Sequence, residues 1–164
     1  MRILIRLFML SLLVILSAAG VSQNEPATES WFSVAISPPG SPVNLGSDAK
    51  LKVVFTNNTG KNLYFSAGGP GRSGPVFDID LRDGEGNPVQ ETAYGVTMHG
   101  KDPRPFSGSV FRATAAPGQT LEETVLLNKE FEITKPGKYT VQVRGKTPNG
   151  RFVRSNTVAI SIVP

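Results

Sequence analysis

The chain has 164 residues, 17 basic and 13 acidic side chains, a single histidine and no cysteine, with a formal charge of +4. The missing cysteine excludes a disulfide-stapled scaffold and a thiol nucleophile. The length suits one domain with an ordinary hydrophobic core.

The first residues read as an address. Arg2 and Arg6 form a basic start, residues 7–16 are apolar, and Ser17, Ala18, Ala19 and Gly20 are small. This order predicts a secretory signal peptide over residues 1–22. Its apolar run is shorter than the roughly 20 residues that a membrane-spanning helix needs. The expected product is exported, periplasmic or extracellular, with no integral membrane anchor after cleavage. Export without cysteine points towards a bacterial envelope. Loss of Arg2 and Arg6 lowers the formal charge to +2. The remaining basic residues form no run of the kind that marks a nucleic-acid surface, so nucleic acid is not an expected partner.

Residues 23–30 are polar and predict a flexible tail, which leaves one domain over 31–164. Within it, apolar and polar residues alternate with period two between turn signals. Strands are expected at 31–36, 49–57, 62–66, 76–82, 88–93, 109–114, 120–127, 138–144 and 152–163. In residues 76–82, Phe77, Ile79 and Leu81 share one face and Asp78, Asp80 and Arg82 the other. Asp83-Gly84-Glu85-Gly86-Asn87 reads as a hairpin loop. Asn57-Asn58-Thr59 fits a glycosylation acceptor but also a plain turn. A short helical turn is expected near 128–133. Residues 67–75 and 95–108 read as long irregular stretches. Together these features predict an all-β, immunoglobulin-like antiparallel β-sandwich of about seven to nine strands, preceded by a signal-peptide helix.

Pro136-Gly137-Lys138-Tyr139 is the sharpest structural signal. A Pro-Gly turn leads into a tyrosine, with Val141 and Val143 alternating behind it. In immunoglobulin-type sandwiches a tyrosine at this corner hydrogen-bonds back to the upstream backbone. Pro136, Gly137 and Tyr139 are therefore expected to build the structural corner.

Chemistry is sparse. His99 and Asp102 share a loop, but no serine sits in a nucleophile elbow, so no catalytic triad is expected. Asp78, Asp80, Asp83 and Glu85 cluster without the spacing of a calcium loop, and they read as a solvated strand face. No metal, cofactor or enzymatic activity is expected. The long 95–108 stretch and its borders carry aromatic and charged groups. Tyr94, His99, Arg104 and Phe106 are the candidate binding residues, because aromatic anchors dominate interface energetics.

Two further sets of residues carry a resemblance. Residues 51–59 (Leu-Lys-Val-Val-Phe-Thr-Asn-Asn-Thr) and 77–83 (Phe-Asp-Ile-Asp-Leu-Arg-Asp), with Gly86, Val89, Ala116-Pro117-Gly118 and 136–141, make the chain similar to the BsuPI-type intracellular proteinase inhibitor domain. The resemblance covers about residues 49–144 and implies an immunoglobulin-like sandwich. The expected function is that of an exported, non-catalytic binding or interaction module, with a protein of the cell envelope or cell exterior as partner. The alternative that the resemblance implies is a protease inhibitor presenting a loop to a protease cleft.

Overall fold

The computed structural model describes residues 31–66, 76–102, 112–146 and 152–164. The expected signal peptide and tail, Arg104 and Phe106 lie outside the described residues. In chain order the elements are β1 (Phe32–Ser37), β2 (Val43–Asn44), β3 (Lys50–Asn57), β4 (Leu63–Ser66), β5 (Phe77–Arg82) and α1 (Ala93–Met98). They continue with β6 (Arg112–Ala115), β7 (Thr120–Leu126), α2 (Leu127–Glu130), β8 (Gly137–Lys146), β9 (Phe152–Arg154) and β10 (Val158–Val163).

One sheet has the order β1-β3-β7 and the other β2-β10-β8-β5, with β9 also paired to β8; β4 and β6 form a separate ladder. In the immunoglobulin plan, strands A, B and E share one sheet and C, F and G the other. Here β1, β3 and β7 take the first set of places, and β5, β8 and β10 the second. All ladders are antiparallel except β2 on β10. The protein is therefore an all-β sandwich.

Alternation explains the core. Leu51, Val53 and Phe55 of β3, Phe77, Ile79 and Leu81 of β5, and Tyr139, Val141 and Val143 of β8 all point inward and are buried. Phe32 lies edge-on to Phe55 and Phe65, with ring centroids 6.0 and 5.7 Å apart. Edge-on aromatic pairs at this separation add to the burial term. Gly145 of β8 rests directly on Phe32: a Cβ at that position would lie 2.8 Å from the Phe32 ring. The glycine lets the far end of β8 close onto the opposite sheet.

Two polar side chains brace turns by bonding the backbone. Asn57, with 2 % of its surface exposed, donates from its amide to the Lys61 and Ala115 carbonyls, and its oxygen accepts from Thr59. The Asn57-Asn58-Thr59 run is thus a turn braced by a buried amide. Asp83 accepts from the backbone N–H groups of Asn87 and Glu85, which closes the hairpin loop. The Asn87 N–H is the main reason that the Asp83 carboxyl is held below its usual range. Asp80 pairs with Arg82.

Four expectations change. The 88–93 segment is not a strand. It makes isolated bridges at Arg82–Pro88 and Glu91–Phe131, and Thr92 then caps a helix. Pro88 has no N–H to give a ladder, which helps explain the break. The 95–108 stretch is not irregular throughout, because residues 95–98 belong to α1. The final 152–163 strand splits into β9 and β10. Ser155 accepts from the Val143 N–H through its hydroxyl, and the Asn156 amide bridges both backbone groups of Ile36. The helical turn expected at 128–133 starts one residue earlier, as α2.

The corner forms. The Tyr139 hydroxyl donates to the Lys135 carbonyl at 2.8 Å while the ring is buried. Tyr139→Phe should cost about 1 kcal/mol, the worth of one such hydrogen bond. Urea unfolding followed by tryptophan fluorescence would measure it, and an unchanged midpoint would show that the bond carries no stability.

Candidate functional site

The polar centre of the molecule lies where α1 meets α2. Thr92 starts α1: its hydroxyl accepts from the Gly95 N–H at 3.0 Å and donates to the Lys129 carbonyl at 2.5 Å. The Thr92 N–H donates to the Glu130 carbonyl, and Glu132 and Gln90 are also joined through their backbones. Gly95 is placed for close approach. A Cβ there would meet the Glu130 carbonyl oxygen and carbon, so only glycine lets α1 lie against α2.

His99 follows the last turn of α1 and is turned inward. Its Nδ1 lies 2.7 Å from Glu91 Oε1 and its Nε2 lies 2.9 Å from Glu130 Oε2. The His99 side chain is fully buried, Glu130 nearly so, and the ring packs against Phe131 with centroids 5.6 Å apart. Lys101 closes the cluster with its Nζ 2.6 Å from the same Glu91 oxygen. A neutral imidazole has one donor and one acceptor nitrogen. With carboxylate oxygens at both nitrogens, this site satisfies both contacts when the ring is an imidazolium or when one carboxyl keeps its proton.

Burial acts first on Glu91 and pushes its carboxyl up. The hydrogen bonds and charges of Lys101 and His99 outweigh that and hold it below the usual range. The cluster therefore ties Glu91 before α1, the α1 terminus and α2 into one unit.

The sequence candidates separate accordingly. Tyr94, on α1, is 49 % exposed, whereas His99 is 5 % exposed and faces the interior. His99 is thus a positioning residue beneath the surface on which Tyr94 stands. Arg104 and Phe106 lie outside the described residues. The His99 ring nitrogens face Glu91 and Glu130, while the Asp102 carboxylate accepts from the Thr97 hydroxyl at 3.3 Å. The sequence reading missed Glu91 and Glu130. Beside α1, a cleft of about 570 Å³ opens between it and β5, with Ile79, Leu81, Val96, Phe131, Lys101 and Arg144 on its walls. Among the described residues, no three acidic or histidine side chains are grouped to hold a metal ion. No helix among them is long and apolar enough to cross a membrane.

His99→Leu should destabilise the fold by about 3 kcal/mol, because it removes the His99 hydrogen bond from the buried Glu130 carboxyl. The Glu91 contribution has a defined pH window. Its folded pKa is lowered, so its stabilisation is present above the unfolded value of 4.5 and is lost as pH falls through the folded value. Glu91→Gln should therefore lower the melting temperature at neutral pH, with the difference shrinking progressively below about pH 4.5. A difference that stays constant from pH 7 to pH 3 would remove the ionic account of the cluster.

No protein-family model and no curated protein matches this chain, so its function is argued from its own residues.

Proposed function

We propose that the protein is an exported, non-catalytic binding module that contacts a partner protein through the α1 end of its sandwich. The observation that carries this reading is the exposed Tyr94 ring on a helix whose every attachment is fixed. Thr92 caps that helix, Gly95 seats it against α2, and His99 clamps its end between two carboxylates. An aromatic side chain on a preorganised support loses little entropy on binding and suits an interface anchor. The adjoining cleft is mainly polar, lined by Asp80, Arg82, Glu91, Lys101 and Arg144 with Val96 beside them.

The non-catalytic part rests on the same geometry. The single histidine has both ring nitrogens engaged by carboxylates and is buried, so it is not presented to a substrate as a general base. Export is supported by the basic, apolar and small-residue order of residues 1–20.

A second reading is protease inhibition. It is favoured by the anchoring of Lys101 to Glu91, which gives the chain leaving α1 a fixed point of departure. Micromolar protein assayed against subtilisin-like and papain-like proteases would test it, and full protease activity in both classes would end it.

For the leading reading, a photo-crosslinking residue at position 94 should trap one discrete partner protein in cells that express the full chain. Tyr94→Ala should weaken binding of that partner by about tenfold or more with an unchanged melting temperature. Diffuse crosslinking, or unchanged affinity of the Tyr94→Ala variant, would overturn the α1 contact.

A further inference from the structure

The outward face of the larger sheet carries charge that the fold does not neutralise. Along β8 the outward side chains include Gln142, Arg144 and Lys146, and along β9 they are Phe152 and Arg154. The register sets Arg144 directly opposite Arg154, and Lys146 opposite Phe152. Like charges directly opposite one another weaken a sheet. Asp78 lies across from Arg144 on β5, yet Arg144, Lys146 and Arg154 make no ion pair among the described residues. Arg144 also has its Nε buried without a hydrogen-bond partner. Its guanidinium carbon sits 5.9 Å from the centroid of the Phe152 ring, and that ring is 56 % exposed. Between Arg144 and Lys146, Gly145 is pressed onto the Phe32 ring, so the backbone that carries both cations is pinned to the core.

The spacing of these groups selects their counterpart. Alternate residues of a strand stand about 7 Å apart, and side chains opposite each other about 5 Å. An extended peptide with carboxylates on alternate residues repeats at the same distance of about 7 Å. Other anions fit less well. A membrane-binding cluster uses about 4–8 cations, and a nucleic-acid surface commonly engages about 6–10 phosphates. Among the described residues, three cations stand here, bounded on one side by Asp78 of β5, which opposes a broad anionic surface.

We infer that this end of the larger sheet docks a short acidic segment of a partner protein. The segment lies extended over β8 and β9, with its carboxylates on Arg144, Lys146 and Arg154 and its chain against Phe152. The inference rests on the binding-module reading and adds a contact separate from Tyr94.

Fluorescence anisotropy with a labelled ten-residue peptide of alternating Glu and Thr tests it, using protein purified after expression of the full chain. Binding should weaken steeply with added salt. It should fall about tenfold or more in a Lys146→Gln, Arg154→Gln variant and again when Arg144→Gln is added. Tyr94→Ala should leave it unchanged. Melting temperatures of the variants control for folding; Lys146 and Arg154 are both exposed, so the double variant provides the decisive comparison. Equal affinity for the Gln-for-Glu peptide would overturn the inference, as would an unchanged double variant. Tighter binding to anionic phospholipid vesicles or to a single-stranded oligonucleotide would also overturn it. Partner capture that needs Tyr94 but not the three cations would leave the module reading standing and remove this one.

Discussion

The structure turns on the Phe32 ring. It stands on β1 in the smaller sheet, lies edge-on to Phe55 of the neighbouring strand and to Phe65 of the β4–β6 ladder, and receives the backbone of Gly145 from the larger sheet. One side chain thus touches all three ladders. With no cysteine in the chain, this contact does at the centre what a disulfide does in antibody domains. It relies on shape: any residue with a Cβ at 145 would push the ring aside, and a dense interior passes such a shift to its neighbours. Tyr139 secures the other end of β8, so the longest strand is fixed at both ends.

The polar cluster beneath α1 is the counterpart of this apolar centre. Both devices need a glycine for close approach, Gly145 against the Phe32 ring and Gly95 against the Glu130 backbone. They differ in how specificity is set. Apolar packing tolerates neighbours of similar volume, whereas a ring flanked by two carboxylates permits one orientation. A helix as short as α1 has little stability of its own. Its position is therefore decided by Thr92, His99 and Lys101, whose partners lie on other elements.

What the sequence revealed follows from the range of each interaction. The inward alternation of β3, β5 and β8 is local, and so is the corner, in which Tyr139 bonds a carbonyl four residues earlier. Both are visible in a short window. The α1 helix is not, because six residues with a central glycine show no helical periodicity and glycine counts against a helix. The reason for Gly95 lies in the Glu130 carbonyl. The same distance hid the role of His99, whose carboxylate partners are 8 and 31 residues away. A lone histidine in a loop suggested an exposed contact; burial between acids appears only once two helices are in place. Of the residues proposed for contact, Tyr94 was chosen as an aromatic at the border of the long stretch, and it is exposed on α1.

A rigid support changes what an exposed group is worth. An aromatic or a cation on a mobile loop gives up freedom when it binds, and much of the contact energy offsets that loss. Tyr94 and the Arg144–Lys146 pair stand on backbone that is already immobilised, by the His99 cluster in one case and by the Phe32–Gly145 contact in the other. The cleft between β5 and α1 has Arg144 on one side and Val96 on the other. A partner that reaches across this cleft engages two preorganised patches at once, and linked contacts bind far more tightly than either alone. On the proposed binding-module reading, the two patches would act as linked contacts for one partner.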